Sequence, residues 1–166
     1  MIDVSEQRSV YDSIYCTVAD YNFYDKIKNE FVDAFASIVP GKILDAGCGE
    51  GIHLKRLLEK GHDVFGIELS AVCCEKFLQG IPHRNIDILN YGSSGAKHDA
   101  LICMDVLEHV EPARIEETVE ALANLAPIAF LGIANHSDII NGVELHQIRE
   151  NSEWWVKLLG KYYKHN

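Results

Sequence analysis

Residues 43 to 54 read "ILDAGCGEGIHL", an apolar run followed by three glycines at alternate positions and then by a helical pattern. Gly47, Gly49 and Gly51 each permit positive φ and let another group come close to the backbone. The stretch therefore predicts a strand, a turn that a ligand can approach, and a helix, with Asp45 at the strand end facing the turn. An ordinary strand-to-helix turn needs fewer glycines. A dinucleotide fingerprint has the spacing G-x-G-x-x-G, whereas here it is G-x-G-x-G with Ile52 in the sixth place.

Outward from this stretch, the periodicity alternates between short apolar strands and amphipathic helices. Downstream lie a helix carrying Leu54, Leu57 and Leu58 that Gly61 stops, a strand "DVFGIEL", and a helix begun by Ser70 and closed by Gly80. Then come strands "NIDIL" and "DALICMDV", a helix from about Pro112 to Ala126, and a strand "IAFLGIA". Continuous apolar strands separated by helices imply a parallel sheet covered on both faces, so the expected fold is a doubly wound, mostly parallel α/β sandwich. Upstream, residues 1–40 read as a helical cap in which Tyr24, Ile27, Phe31, Phe35 and Ile38 share one face, ended by "VPG". Residues 41–135 form the expected ligand-binding core, and 136–166 supply a loop and a last helix, "NSEWWVKLLGKYY". The 166 residues suit a single domain of this kind.

Composition narrows the partners. Fifteen Lys and Arg against 25 Asp and Glu give a formal net charge of −10, which supplies no counterion-release term and argues against nucleic acid. The five cysteines show no Cys-x-x-Cys spacing and fit a reduced, cytoplasmic setting. The polar N-terminus is not a signal peptide, and no apolar run reaches the ~20 residues a membrane span needs.

In a doubly wound sheet, ligands bind beyond the C-terminal strand ends where the strand order reverses, next to the loops after the first and fourth strands. Glu68 closes the second strand, where a carboxylate accepts from both hydroxyls of a ribose. Asp87, at the end of "NID", suits an exocyclic amine of adenine, and the Ile88 N–H suits the ring.

Together, "ILDAGCGEG", Glu68, "DIL" and "DALICMDVLEHV" resemble in order and spacing the class I S-adenosylmethionine-dependent methyltransferases, over roughly residues 41 to 135. "DVLEHV" is similar to the version in small-molecule enzymes such as the ubiquinone-pathway O-methyltransferases. The resemblance implies S-adenosylmethionine as cofactor and S-adenosylhomocysteine as product. It further implies a cofactor site of Asp45, Gly47, Cys48, Gly49, Gly51, Glu68, Leu69, Asp87 and Ile88, with Met104 and Asp105 at the sulfonium. A preceding helix acts as a lid in that family, which points to Tyr11 and Tyr15, four apart on one face.

A sulfonium already carries an activated methyl group, so the chain's task is to align a small, oxygen-bearing acceptor and take its proton. His146, His109 and Glu108 are the expected catalytic set, with His136 a further candidate. Asp105, Glu108, His109 and His146 are also similar to the metal site of small-RNA 3′-end 2′-O-methyltransferases, but the charge opposes RNA and the sequence reading assigns no metal. A catalytically idle cofactor-binding subunit is the other rival. The final antiparallel strand pair of the resembling family is not expected here. The fifth strand would then be an open edge unless "GVELHQI", a second copy or another partner covers it. The face of Trp155, Leu158, Leu159 and Tyr162 reads as core, with Trp154 bordering the acceptor site.

Overall fold

The computed structural model describes residues 4–18, 21 and 25–164. Two helices come first, α1 (Val4–Thr17) and α2 (Lys26–Ile38). An alternating series follows: β1 (Lys42–Ala46), α3 (Ile52–Glu59), β2 (Asp63–Glu68), α4 (Ala71–Phe77), β3 (His83–Asn85) and α5 (Ile88–Gly92). After it come β4 (Ala100–Met104), α6 (Ile115–Leu125), β5 (Ala129–Gly132), a small hairpin of β6 (Ile139–Ile140) and β7 (Val143–Glu144), and α7 (Ser152–Leu159).

The five main strands are all parallel, in the order β3-β2-β1-β4-β5. Successive side chains of a strand point to opposite faces, and β1 shows the result. Leu44 joins a core with Leu101, Val119 and Leu122 under α6, while Ile43 joins a core with Ile102, Leu54 and Val32 under α2 and α3. Burial on both faces is why the central strands read as unbroken apolar runs. Local signals hold where the chemistry is strong: Ser70 Oγ accepts from Cys73 N at 3.0 Å at the start of α4, and Gly61 leaves α3 with φ 84°.

Winding runs outward from β1 to β3 on one side and from β4 to β5 on the other, so the order reverses between β1 and β4. The crevice beyond their C-terminal ends is the place where this class of sheet binds ligands.

The expected N-terminal helical cap is present as the two helices α1 and α2, and Tyr24 lies outside the described residues. Other expectations are corrected. The apolar face of α2 points the opposite way from its predicted orientation: Ile27, Phe31 and Ile38 are 66%, 60% and 79% exposed, while Asn29, Val32 and Ala36 are buried. Polar pairing and close approach decide this. Asn29 Oδ1 lies 3.0 Å from His53 Nδ1, Asp33 accepts from Arg56 at 2.6 Å and Lys60 at 2.7 Å on α3, and Val32 and Ala36 are small enough to let the helix sit close to the sheet. Only Phe35 of the predicted stripe packs inward, stacked on Phe130 at 5.5 Å.

The third strand is also shorter and earlier than "NIDIL". Asp87 caps α5 instead, accepting from Asn90 N at 3.0 Å, because a short side-chain acceptor favours a helix start over strand continuation. "GVELHQI" does not cover β5: its first residues pair with β6 in a separate two-stranded sheet. Asn141 and Gly142, with φ 52° and 79°, form the two-residue turn with both φ positive that suits such a hairpin. Trp155 and Leu158 are buried as expected, with Leu159 and Tyr162 against the same core. Trp154 stacks edge-on against Trp155 at 5.0 Å, packs on that core, and is not among the residues lining the cleft. No helix among the described residues is long and apolar enough to cross a membrane.

Candidate active site

The glycine turn builds the floor. Gly47 and Cys48 N–H both donate to Ile67 O, at 2.9 and 3.0 Å, which folds the turn back over β2. Gly47 (φ 77°) and Gly49 (φ 51°) occupy the left-handed region. A Cβ on Gly47 would fall 2.5 Å from Val106 Cγ2, so the loops after β1 and β4 are pressed together there. Gly51 plays another part: it caps α3 below the turn, against Leu78, and does not line the cleft.

Above this floor is a cleft of about 570 Å³, within the roughly 300–1,000 Å³ typical of small-molecule sites. Asp45, Cys48, Gly49, Glu68, Leu69, Asp87, Ile88, Met104 and Asp105 all border it, as do Tyr11, Tyr15, His109, His136 and His146. The structure thus gathers nearly the whole predicted set into one space; of the named residues, Gly51 and Glu108 are set back from it.

Glu68 is buried and bonded: Oε2 accepts from Gly49 N at 3.0 Å and Oε1 from Ser70 N at 2.8 Å. Burial raises its carboxyl above the usual range, and the Ser70 and Gly49 N–H bonds draw it partly back. Each carboxylate oxygen has a second lone pair, so the acid keeps acceptor capacity toward the cleft. Asp45 is 2% exposed and its Oδ2 has no hydrogen-bond partner. Burial first, and the Glu68 charge second, push it up to about 7.

Helix α1 closes one side. Asp12 accepts from Ser70 Oγ at 2.5 Å and from Val72 N at 3.2 Å, and Lys76 Nζ donates to Tyr15 O at 2.7 Å. These bonds fasten α1 to both ends of α4 and hold Tyr11 and Tyr15 at the cleft. Tyr11 meets the His109 ring edge-on at 5.9 Å, and burial raises its hydroxyl well above the ordinary value. Across the mouth, Lys28 of α2 pairs with Asp105, a non-glycine residue at φ 53°. Strained backbone of that kind persists where its surroundings hold it.

The opposite wall is histidine. The His109 and His146 rings meet edge-on at 4.5 Å, and His136 lies 4.9 Å from His146. His109 is lowered to about 4, by burial first and by the His146 charge second. His146 is placed by the β6–β7 hairpin, which sequence reasoning missed although Asn141-Gly142 signals it. Glu144 knits that loop by accepting from Ser137 Oγ, from Asp138 N at 2.9 Å and from His146 N at 3.1 Å. Those bonds, the Ser137 hydroxyl foremost, hold its carboxyl down at about 2. Lys28 and Asp138 also border the cleft and Glu144 braces the loop behind it, none of them announced by a motif.

Comparisons with known proteins agree with this geometry. Residues 20–160 match a family described as a methyltransferase domain. A ubiquinone biosynthesis O-methyltransferase of Methylococcus capsulatus is 29% identical over 120 residues, covering 67% of this chain and 51% of the relative. One from Acinetobacter baumannii is 27% identical over 122 residues, with 67% and 52% covered. The chain therefore spans about half the length of these curated relatives. Among solved structures, the Synechocystis magnesium protoporphyrin IX methyltransferase with bound SAH superposes with TM-score 0.72 at 20% identity, over 96% of this chain and 88% of the other. The Burkholderia thailandensis 1,6-didemethyltoxoflavin-N1-methyltransferase gives 0.71 at 19% identity, over 94% and 75%. With the family match running over residues 20–160, through the glycine turn, Glu68 and the histidine wall, the chain belongs to the methyltransferase domain family.

Proposed function

We propose that this chain holds S-adenosylmethionine in the switch-point cleft and transfers its methyl group to an oxygen of a small-molecule acceptor. The observation that carries the reading is a single cleft bordered by two strand-end acids, Asp45 and Glu68, by the helix-capping Asp87, and by His109 and His146. In this assignment the glycine turn cups the amino-acid portion, Glu68 takes the ribose hydroxyls with its remaining lone pairs, and Asp87 with Ile88 N–H meets the adenine. Met104 and Asp105 flank the sulfur. The names of the curated relatives as O-methyltransferases support oxygen as the methylated atom.

The chemistry asks for alignment of an acceptor lone pair with the C–S bond, exclusion of water and removal of one proton. Alignment alone supplies about 7 to 11 kcal/mol in well-oriented systems. Tyr11 and Tyr15 on the fastened α1 cover the cleft, and the lone pairs of His146 and His109 are the proton acceptors in reach of the acceptor side.

Calorimetric titration with S-adenosylhomocysteine tests the cofactor half: Glu68→Ala is expected to weaken binding by about 1 to 3 kcal/mol through lost charge-assisted bonds. Undiminished affinity removes Glu68 from the site. Methyl transfer from labelled cofactor to a panel of phenols and aliphatic alcohols tests the other half, and His146→Ala is expected to lower turnover while leaving cofactor affinity intact. Incorporation into none of these, with label appearing only in amines of a parallel panel, refutes the oxygen assignment.

A further inference from the structure

A second cavity lies against the first. It measures about 360 Å³, and Gln7, Tyr11, His109 and Glu111 border both spaces. The divider is therefore one side chain thick: the Tyr11 ring meets the His109 ring edge-on at 5.9 Å, and Gln7 Nε2 donates to His109 O at 2.8 Å. That hydrogen bond ties α1 to the loop after β4.

The chain supplies the lining from three places. Gln7, Val10 and Tyr11 stand three and four apart on α1, so they share one helical face. Pro112 and Ala113 come from the turn ahead of α6, and Val143 and Leu145 from the hairpin that Asn141-Gly142 folds. Beyond the shared residues the lining is thus mostly apolar. Val143 is 40% exposed, so covering it with an apolar group is favourable. Charge in the cavity is one-sided: among the described residues that line it none is Lys or Arg, whereas Glu111 and Glu144 are acids. Glu144 is paired with Arg149 at 3.1 Å, and Glu111 sets a field that disfavours an anion.

His109 links this cavity to the chemistry. Its Nδ1 lies 3.2 Å from Leu145 O; a carbonyl only accepts, so the neutral ring carries its proton on Nδ1 and keeps its lone pair on Nε2. An acceptor whose hydroxyl reaches that lone pair stands at the divider, with the second cavity beside it.

We propose that the second cavity holds a side arm of the acceptor, and that this arm is uncharged and apolar, an alkyl or aryl substituent of a hydroxyl-bearing compound. Tyr11 is the residue the arm passes, and Val10 and Val143 limit its bulk. The role of the arm in the reaction rests on the methyl-transfer reading, although the affinity of the cavity for it does not.

The test is calorimetry of the full chain in the presence of S-adenosylhomocysteine, titrated with phenol, para-butylphenol and hydroxyphenylpropionate. Each buried methylene is worth about fourfold in affinity, so para-butylphenol is expected to bind at least about tenfold more tightly than phenol. Hydroxyphenylpropionate, whose arm ends in a carboxylate, is expected to bind no more tightly than phenol. Val10→Trp, which fills the cavity, is expected to bring the ratio of the two phenol affinities close to one. In the wild-type chain, the methyl resonances of Val10, Val143 and Leu145 are expected to shift with para-butylphenol and to stay in place with phenol, a readout independent of whether the variant folds. Equal affinity for the two phenols, a preference that survives in Val10→Trp, or unmoved methyl resonances overturns the proposal, and a carboxylate arm held as tightly as the butyl arm overturns its apolar character. Arm preference without methyl transfer from labelled S-adenosylmethionine to any phenol defeats the methyl-transfer reading alone, and methyl transfer without arm preference defeats the arm site alone.

Discussion

Asp45 shows what a single residue at a strand end contributes and costs. It was legible from its place before the glycines, but its energetic state was not, because that depends on burial and on Glu68 from a distant strand. The folded protein holds its carboxyl at about 7 instead of the ordinary 3.8, so the fold favours the neutral form. That preference is without penalty below the unfolded value. As pH rises from about 4 through 7, ionisation in the unfolded chain destabilises the fold by up to about 4 kcal/mol, at about 1.4 kcal/mol per pH unit. Asp45→Asn is therefore expected to be more stable than wild type at pH 8, with the difference disappearing at pH 4. Urea midpoints at the two pH values measure this, and an equal offset at both would show that the acid is not penalised. A buried acid kept at this cost fits a site that meets a cation only when ligand is bound.

At the scale of elements, periodicity located the strands and helices but misjudged what some of them face. The order β1, β2, β4, β5 was readable because each strand is an apolar run that the sheet buries on both sides. Helix α2 was not readable in the same way: its large apolar residues are outside, and its inner face is Asn29, Val32, Asp33 and Ala36, chosen by pairing with α3 and by closeness to the sheet. Periodicity counts hydrophobic residues but cannot see a partner helix. The two faces make opposite predictions. Val32→Ala is expected to cost about 1 to 3 kcal/mol from lost burial and the cavity left, whereas Phe31→Ala stays within about 0.5 kcal/mol. Chemical denaturation of both variants decides; comparable losses would mean that the helix presents Phe31 inward after all.

For the whole molecule, the sheet order and the charge together constrain what can enter the cleft. The switch point between β1 and β4 was predictable from connectivity alone, which is why residues expected at a ligand, spread from Asp45 to Asp105, border one cleft. The histidine wall was only half legible, since it depends on a hairpin of two residues per strand that does not join the main sheet. A net charge of −10 opposes a polyanion at every approach distance within the Debye length. Binding RNA by neutralising phosphates gives a log affinity that falls with log salt at a slope of about −0.7 per phosphate contacted for a single strand. Here no such term is expected. Fluorescence anisotropy with a labelled single-stranded oligonucleotide should show no saturable binding at about 50 mM salt, where phosphate contacts are strongest. Saturable RNA binding that weakens steeply with salt would mean that a local basic groove overrides the global field, and it would transfer the acceptor assignment from small molecules to nucleic acid.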